Sequence, residues 1–272
     1  MSKNNTHKEI KKLIENTFNE VSTKYDTNLF FKITAEHMAK SFNSKDNMSV
    51  LDVSTGTGTV IFELLNKHPH INIHAVDISK GMLDIAKNKA LELNYDNIIF
   101  KHHDVEKLQY PNHHFDLITC GFGLFFYPNM SETFNTLCQM IKEDGKFIFS
   151  SFTKDAFAPY SELFFDRLEN DYKMQRPIKE SGLLNTNEDI KLLVNNINDY
   201  SHTVEEVEIA YNITIMQWWE LLNSAGYKTL LNKLGKEELL EFKQNHLNDI
   251  KKLSKDGNIK LHVNTLITTV SI

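Results

Sequence analysis

The chain has 272 residues, 41% of them hydrophobic and 24% charged, and carries a formal net charge of -6. That length and apolar content suffice to bury a full core, as one large domain or a domain with a cap, and they exclude a disordered chain. The negative balance and a count of only two arginines, Arg167 and Arg176, argue against a phosphate-tracking surface, so no nucleic acid partner is expected.

The N-terminus is polar and lysine-rich without an apolar signal region, and no later run approaches the length of a bilayer span. A cytoplasmic location with no membrane span is therefore expected. Cys120 and Cys138 fall within predicted core elements and read as structural thiols, not as a disulfide. Ile10, Leu13, Ile14, Phe18 and Val21 recur at helical spacing, which predicts an amphipathic helix over 9–21 in front of the sheet. Lysine-rich stretches such as 8–12 and 251–255 read as solvated helix faces.

The most informative stretch is Val50-Leu51-Asp52-Val53-Ser54-Thr55-Gly56-Thr57-Gly58-Thr59-Val60. An apolar strand runs through Asp52 into a loop where glycines 56 and 58 permit a sharp turn close to a ligand. The run 60–65 then reads as a helix whose first amides face that ligand. A second alternating strand over 71–77 ends in Asp77, about twenty residues past the glycines, where a carboxylate accepts hydrogen bonds from ribose hydroxyls. Together these features predict an adenosine cofactor. A dinucleotide fingerprint wants a third glycine where Ile61 stands, and Asp52 would repel a pyrophosphate but attract a sulfonium or an ammonium. A nicotinamide-dependent oxidoreductase is thereby disfavoured.

At this point the sequence resembles the class I S-adenosylmethionine-dependent methyltransferases over most of its length. Asp52-Val53-Ser54-Thr55-Gly56-Thr57-Gly58 resembles that family's D-x-G-x-G-x-G, and Val76-Asp77-Ile78-Ser79-Lys80-Gly81-Met82-Leu83 resembles its V-D-x-S-x-x-M-L. His103-Asp104-Val105-Glu106-Lys107-Leu108 is similar to the segment whose acidic side chain and following amide contact adenine. The run 115–124, ending Gly121-Phe122-Gly123-Leu124, is similar to the fourth strand and the floor beneath the methionyl arm. The segment Phe18-Asn19-Glu20-Val21-Ser22-Thr23-Lys24-Tyr25-Asp26 is similar to the F-x-x-x-A-x-x-Y-D of quinone-type C-methyltransferases and their small-molecule relatives, in which the tyrosine often lies over the cofactor.

The resemblance implies a doubly wound, mostly parallel, seven-stranded Rossmann-like α/β sheet with helical lid and cap insertions. It implies S-adenosyl-L-methionine as cofactor, with S-adenosyl-L-homocysteine as product. The cofactor contacts it implies are Tyr25, Asp52, Ser54, Thr55, Gly56, Gly58, Asp77, Ile78, Met82, Asp104, Val105, Gly121 and Phe122. One departure is Ser54 in place of the family's first glycine, tolerable if its backbone stays extended. A second is Phe125-Phe126 where the quinone enzymes carry Arg-Asn, so quinone methylation itself is not implied.

Strand and helix alternate over 50–54, 60–67, 71–77, 81–93, 98–103, 117–120, 132–142 and 147–151, the pattern of a parallel sheet. Ser131 is the expected N-cap of the helix over 132–142 and Gly145 its stop. Thr186 and Asp189 form an expected capping pair for a helix over 187–196, and 204–214 and 259–270 are the expected closing antiparallel strands. The expected organisation is therefore N-terminal helices over 1–45, a cofactor-binding domain over 46–152 and 185–272, a lid insertion over 153–184 and a helical cap over 215–255. Most aromatics in those insertions are expected to pack cap against domain. Phe125, Phe126, Tyr127, Phe157 and Tyr160 are the candidates for a substrate pocket.

An in-line displacement at an already electrophilic methyl needs positioning more than a catalytic group. Tyr25, Tyr127, Tyr160 and His202 are candidates for a base, and no spacing singles one out, so the catalytic residue stays unassigned. His102 and His103 are strand neighbours facing opposite ways, so no metal is expected there, and His113-His114 is expected in a solvated turn. The expected activity is methyl transfer to a small, partly apolar or aromatic molecule, by a monomer or a homodimer. The rival is a catalytically silent cofactor-binding partner or regulatory protein, which would fill its cavity with its own side chains or expose an apolar patch.

Overall fold

A computed structural model describes residues 3–43, 45, 47–174, 184–195 and 200–272 of the chain. Residues 175–183 of the 153–184 insertion, Arg176 among them, and Asn196 lie outside the described residues. Two helices, α1 (Lys3–Val21) and α2 (Leu29–Lys40), precede the alternating series β1 (Ser49–Val53), α3 (Thr59–Lys67), β2 (Asn72–Asp77), α4 (Lys80–Glu92), β3 (Ile98–His102), β4 (Phe115–Gly121), α5 (Met130–Gln139) and β5 (Ile141–Phe152). The remainder comprises α6 (Tyr160–Tyr172), α7 (Asn187–Asn195), β6 (Ser201–Val207), β7 (Ala210–Thr214), α8 (Ile215–Leu222), α9 (Lys228–Leu231), α10 (Lys236–Leu253), β8 (Asn258–His262) and β9 (Thr265–Ser271).

The sheet runs β3-β2-β1-β4-β5-β9-β6. Every pairing from β3 to β5 is parallel, and β9 is antiparallel to both of its neighbours. The order reverses between β1 and β4, and the crevice at the carboxyl ends of those two strands is where an open α/β sheet holds its ligand. Continuous apolar runs in the central strands suit burial on both faces: Val50, Leu51 and Val53 of β1 and Leu117, Ile118 and Cys120 of β4 are fully buried. Both cysteines are free and buried. No helix among the described residues is long and apolar enough to cross a membrane.

Each of the two expected closing strands is split in two. The first half of one, β6, and the second half of the other, β9, belong to the main sheet, while β7 and β8 form a separate ribbon that carries α8, α9 and α10. At the break Val263 N donates to Ile209 O (2.8 Å), and Ile209 N finds the side-chain oxygen of Asn264 (3.3 Å) in place of a backbone partner. The alternating sequence pattern continues through this corner and so conceals it. The fourth helix-to-strand connection also differs from expectation. Asn129, without a side-chain hydrogen bond, caps α5 in place of Ser131, and Gly145 lies inside β5 instead of ending a helix. The pairing of β4 with β5 shifts register there, and a Cβ on Gly145 would sit 2.4 Å from Ile141 Cγ2. Thr186 and Asp189 exchange side-chain-to-backbone bonds of 3.1 Å at the start of α7.

Candidate active site

The loop after β1 turns through left-handed backbone at Ser54 (φ 54°), Gly56 (φ 58°) and Gly58 (φ 87°). A Cβ on Gly58 would strike the Phe62 ring at 2.5 Å, whereas a Cβ on Gly56 would point into open space. Gly58 is thus demanded by packing and Gly56 by the turn that leaves a cradle open. Ser54 does not keep the extended backbone expected of it. The left-handed region costs a non-glycine residue about 1 to 2 kcal/mol, and two features accommodate it here. Its hydroxyl lies 2.7 Å from the Tyr127 hydroxyl. Opposite it stands Gly123, where a Cβ would come within 2.5 Å of Ser54 Cβ.

Asp77, at the end of β2, fastens this loop. One carboxylate oxygen accepts from Gly56 N (2.8 Å) and the other from Ser79 N (2.7 Å). Burial pushes its pKa up, and the bonds from Ser79 and Gly56 pull the other way. Asp52, at the end of β1, is 1% exposed. Its Oδ1 accepts from the Thr119 hydroxyl (2.6 Å), while Oδ2 has no hydrogen-bond partner. Burial lifts this carboxyl to about 7.

The N-terminal elements close over the loop. Asn19 of α1 accepts from Ser79 Oγ and Gly81 N, each at 2.8 Å. Asp26 accepts from the Thr57 hydroxyl and pairs with Lys89. Tyr25 stacks on Phe31, with ring centroids 4.3 Å apart. Lys11, read from sequence as part of a solvated face, instead pairs with Asp104 (2.8 Å) and with Glu106.

Two cavities result. The smaller, of about 410 Å³, lies between α2 and the glycine loop and is lined by Tyr25, Phe31, Thr34, Met38, Asp52, Thr55, Val60, Phe122 and Ser150, among others. The larger, of about 670 Å³, lies beneath α1 and is lined by Lys11, Ile14, Phe18, Asp77, Ile78, Met82, Asp104, Val105, Phe126 and Tyr127, among others. Tyr25, Ser54, Gly56, Gly121 and Phe122 belong to both, so the cavities form adjoining parts of one cleft.

Of the residues expected to hold a cofactor, Gly58 alone lines neither cavity. Of the expected substrate pocket, the structure brings Phe126 and Tyr127 to the cleft but not Phe125, Phe157 or Tyr160. Phe125 is buried against Phe126 and Phe152, and Phe157 and Tyr160 pack on Trp218 of α8, which joins insertion to cap. His202 sits on the edge strand β6 opposite Val270, away from both cavities. His114, expected in a solvated turn, is half-buried and stacks on Tyr110. Sequence reasoning missed Phe31, Thr34 and Met38 of α2 and Ser150 of β5. No local motif marks them, because α2 reaches the cleft only through the fold.

Burial raises the pKa of Tyr25, Tyr127 and Tyr160 above the usual phenol range, so all three stay protonated at neutral pH. Strand order, the left-handed glycine loop and the two strand-end carboxylates are the features expected of an adenosine-binding α/β protein. The buried, partnerless Asp52 Oδ2 suits an ammonium, and the open cradle at Gly56 suits close approach to the methionyl arm.

A family model described as a methyltransferase domain matches residues 44–225, well over half of the chain. The ubiquinone/menaquinone biosynthesis C-methyltransferase of Rickettsia massiliae is 31% identical over 152 residues, covering 52% of this chain and 61% of that protein. The chain thus spans about three fifths of that relative's length. The enzyme of the same name from Zymomonas mobilis is 22% identical over 223 residues, 79% of this chain and 84% of that one. Among solved structures, the YcgJ protein of Bacillus subtilis shares the fold with a TM-score of 0.59 at 17% identity, over 88% of this chain and 97% of that one. The chain belongs to the class I S-adenosylmethionine-dependent methyltransferase family.

Proposed function

We propose that this chain transfers the methyl group of S-adenosylmethionine to a small, partly apolar or aromatic acceptor. The observation that carries the reading is a single cleft lined both by the carboxylates Asp52, Asp77 and Asp104 and by the aromatic rings of Phe18, Tyr25, Phe126 and Tyr127. The bound cofactor supplies an electrophilic methyl on a sulfonium. Asp77 would hold the ribose, Asp104 and the Val105 amide the adenine edge, Asp52 the methionyl ammonium, and Gly121 with Phe122 the floor beneath it. Tyr25, Ser54, Gly56 and Thr55 would complete the cofactor's wall, with Ile78 and Met82 behind the adenosine.

The chain's own contribution is positioning and exclusion of water, effects that together lower a barrier by about 7 to 11 kcal/mol when geometry is ideal. With its tyrosines held protonated, the cleft favours acceptors whose attacking atom needs no strong base, such as a phenolate or an activated ring carbon. The quinone-biosynthesis relatives agree with a ring acceptor, while Phe125-Phe126 in place of Arg-Asn supports a less polar contact at that position. We assign residues 1–45 as the cover over the cofactor, 46–152 with 185–272 as the cofactor-binding domain, 153–184 as lid and 215–255 as cap.

The test is transfer of radiolabelled methyl from S-adenosylmethionine to a panel of quinols, catechols, simple phenols and small amines. Labelling of ring acceptors above the amines is expected. Labelling of amines alone would overturn the acceptor class, and tight cofactor binding with no labelling of any acceptor would favour a silent binding protein.

A further inference from the structure

We infer that Ser54 is a specificity-determining residue that presents its hydroxyl oxygen to the sulfonium of the cofactor, that Tyr127 is the positioning residue that turns it that way, and that the pair makes the cleft prefer the charged cofactor to the neutral product. The inference rests on the reading of the cleft as an S-adenosylmethionine site. Ser54 stands where the family motif has a glycine, in left-handed backbone at φ 54°. Glycine adopts that conformation without strain and serine does not, and strained residues kept at a ligand cleft are a usual mark of function. The neighbours are shaped around this side chain. A Cβ built on Gly123 would come within 2.5 Å of Ser54 Cβ and 2.8 Å of Ser54 Oγ. Tyr127, 9% exposed, places its hydroxyl 2.7 Å from Ser54 Oγ.

Tyr25, Ser54, Gly56, Gly121 and Phe122 are shared by the two cavities and so surround the neck between them. A ligand with its adenosine against Asp77 and Asp104 and its amino acid against Asp52 threads its sulfur through that neck. Of the shared residues, Ser54 and Tyr25 alone carry a polar side-chain atom. The rings of Tyr25 and Phe122 are backed by Phe31 and Phe152, each stacked pair with centroids 4.3 Å apart. Among the described residues that line either cavity, the one basic side chain is Lys11, and its ammonium is held by Asp104 and Glu106. A cation is favoured over a neutral atom in such surroundings.

A hydroxyl attracts a cation through its oxygen and repels it through its hydrogen, so the direction of the Ser54 O–H decides the sign. The Tyr127 hydroxyl has Ser54 Oγ on one side and Cys120 Sγ at 4.0 Å on the other. Burial keeps this phenol protonated, so it has a hydrogen to pass on. With Ser54 donating to Tyr127 and Tyr127 donating to the sulfur, the serine hydrogen is committed and the lone pairs of Oγ stay free for the neck. In the reverse direction the serine hydrogen has no second acceptor among the described residues and would oppose a cation. Because methyl transfer leaves a neutral thioether in the neck, Ser54 then has no charge to hold, and product leaves more readily than cofactor.

The test is calorimetric titration of the intact chain, of Ser54→Gly and of Tyr127→Phe with S-adenosylmethionine, S-adenosylhomocysteine and sinefungin. In sinefungin an amine-bearing carbon replaces the sulfonium and puts a positive charge in the same place. The unmodified chain should bind both charged ligands more tightly than S-adenosylhomocysteine. Ser54→Gly removes strain along with the hydroxyl, so it should melt at a higher temperature. Its preference for the charged ligands should fall by about threefold to tenfold, while its affinity for S-adenosylhomocysteine changes by less than about twofold. Tyr127→Phe keeps the ring and removes the partner hydroxyl, and should lose part of the same preference. A preference that survives in Ser54→Gly, or a loss shared equally by S-adenosylhomocysteine, would overturn the role of Ser54. Loss in Ser54→Gly with none in Tyr127→Phe would overturn the positioning role of Tyr127. Failure of all three ligands to bind the unmodified chain would instead overturn the cofactor reading itself.

Discussion

The floor of the cleft and its cover are built on different physics. On the floor, polar atoms are placed by short-range bonds between a strand-end carboxylate and backbone amides: Asp77 to Gly56 and Ser79, and Asp104 to Glu106. The cover, α1 and α2 with the segment between them, is held by side chains that meet partners far away in the chain: Lys11 with Asp104, Asn28 with Ser224 (3.0 Å) and Thr229 with Thr17 (3.2 Å). The floor is a rigid, locally encoded frame, and the cover is fastened by separable contacts. Substitutions in the floor should therefore cost much more than substitutions in the cover.

The largest effect is expected from Asp77→Ala, which removes two charge-assisted bonds to backbone amides. A loss of about 3 kcal/mol of stability and about a hundredfold of cofactor affinity should appear in denaturant titration and calorimetry. An affinity loss below about fivefold would mean that Asp77 does not hold the ribose. Next is Asp52, whose carboxyl stands raised from 3.8 to about 7. The folded chain holds this proton more tightly than the unfolded one between those values. The stability this group contributes is full below about pH 4 and lost as pH rises through 7. Asp52→Asn should abolish that slope in melts of the ligand-free protein, and a slope that persists in the variant would show that another group carries it.

A smaller effect, of about 1 to 3 kcal/mol, is expected for Gly123→Ala, because the new Cβ collides with Ser54. Ser54→Gly in the same chain should recover most of it, and a double-mutant cycle with no coupling would show that the two positions do not share their space. The smallest effect belongs to the cover. Lys11→Ala breaks pairs whose lysine side chain keeps 20% of its exposure. It should cost less than about 1 kcal/mol and lower cofactor affinity by a factor of a few, measurable by calorimetry at two salt concentrations.

The same contrast explains what was legible in the sequence. The glycine loop, Asp52, Asp77 and the Asp104-Val105 pair are local patterns, each a strand followed by a turn with one carboxylate at its end, and the structure brings those carboxylates to one cleft. Lys11 looked solvated because its partners lie about ninety residues away, a separation that the helical pattern of α1 does not encode. Thr34 and Met38 carried no signal, since α2 becomes a cavity wall only by lying across the sheet. Ser54 was misread because its left-handed backbone is tolerated through Gly123 and Tyr127, neither of which adjoins it in sequence. The corner at Ile209 and Asn264 was hidden for a related reason: a side chain supplies a bond that a continuous strand would supply from its backbone.

The most direct test of the cofactor site is calorimetric titration of the intact chain and of Asp77→Ala with S-adenosylmethionine, S-adenosylhomocysteine and NADH. Micromolar binding of the two sulfur ligands, lost in the variant and absent for NADH, is expected. Binding of NADH alone, or of the sulfur ligands equally well to both proteins, would overturn the assignment of the cleft.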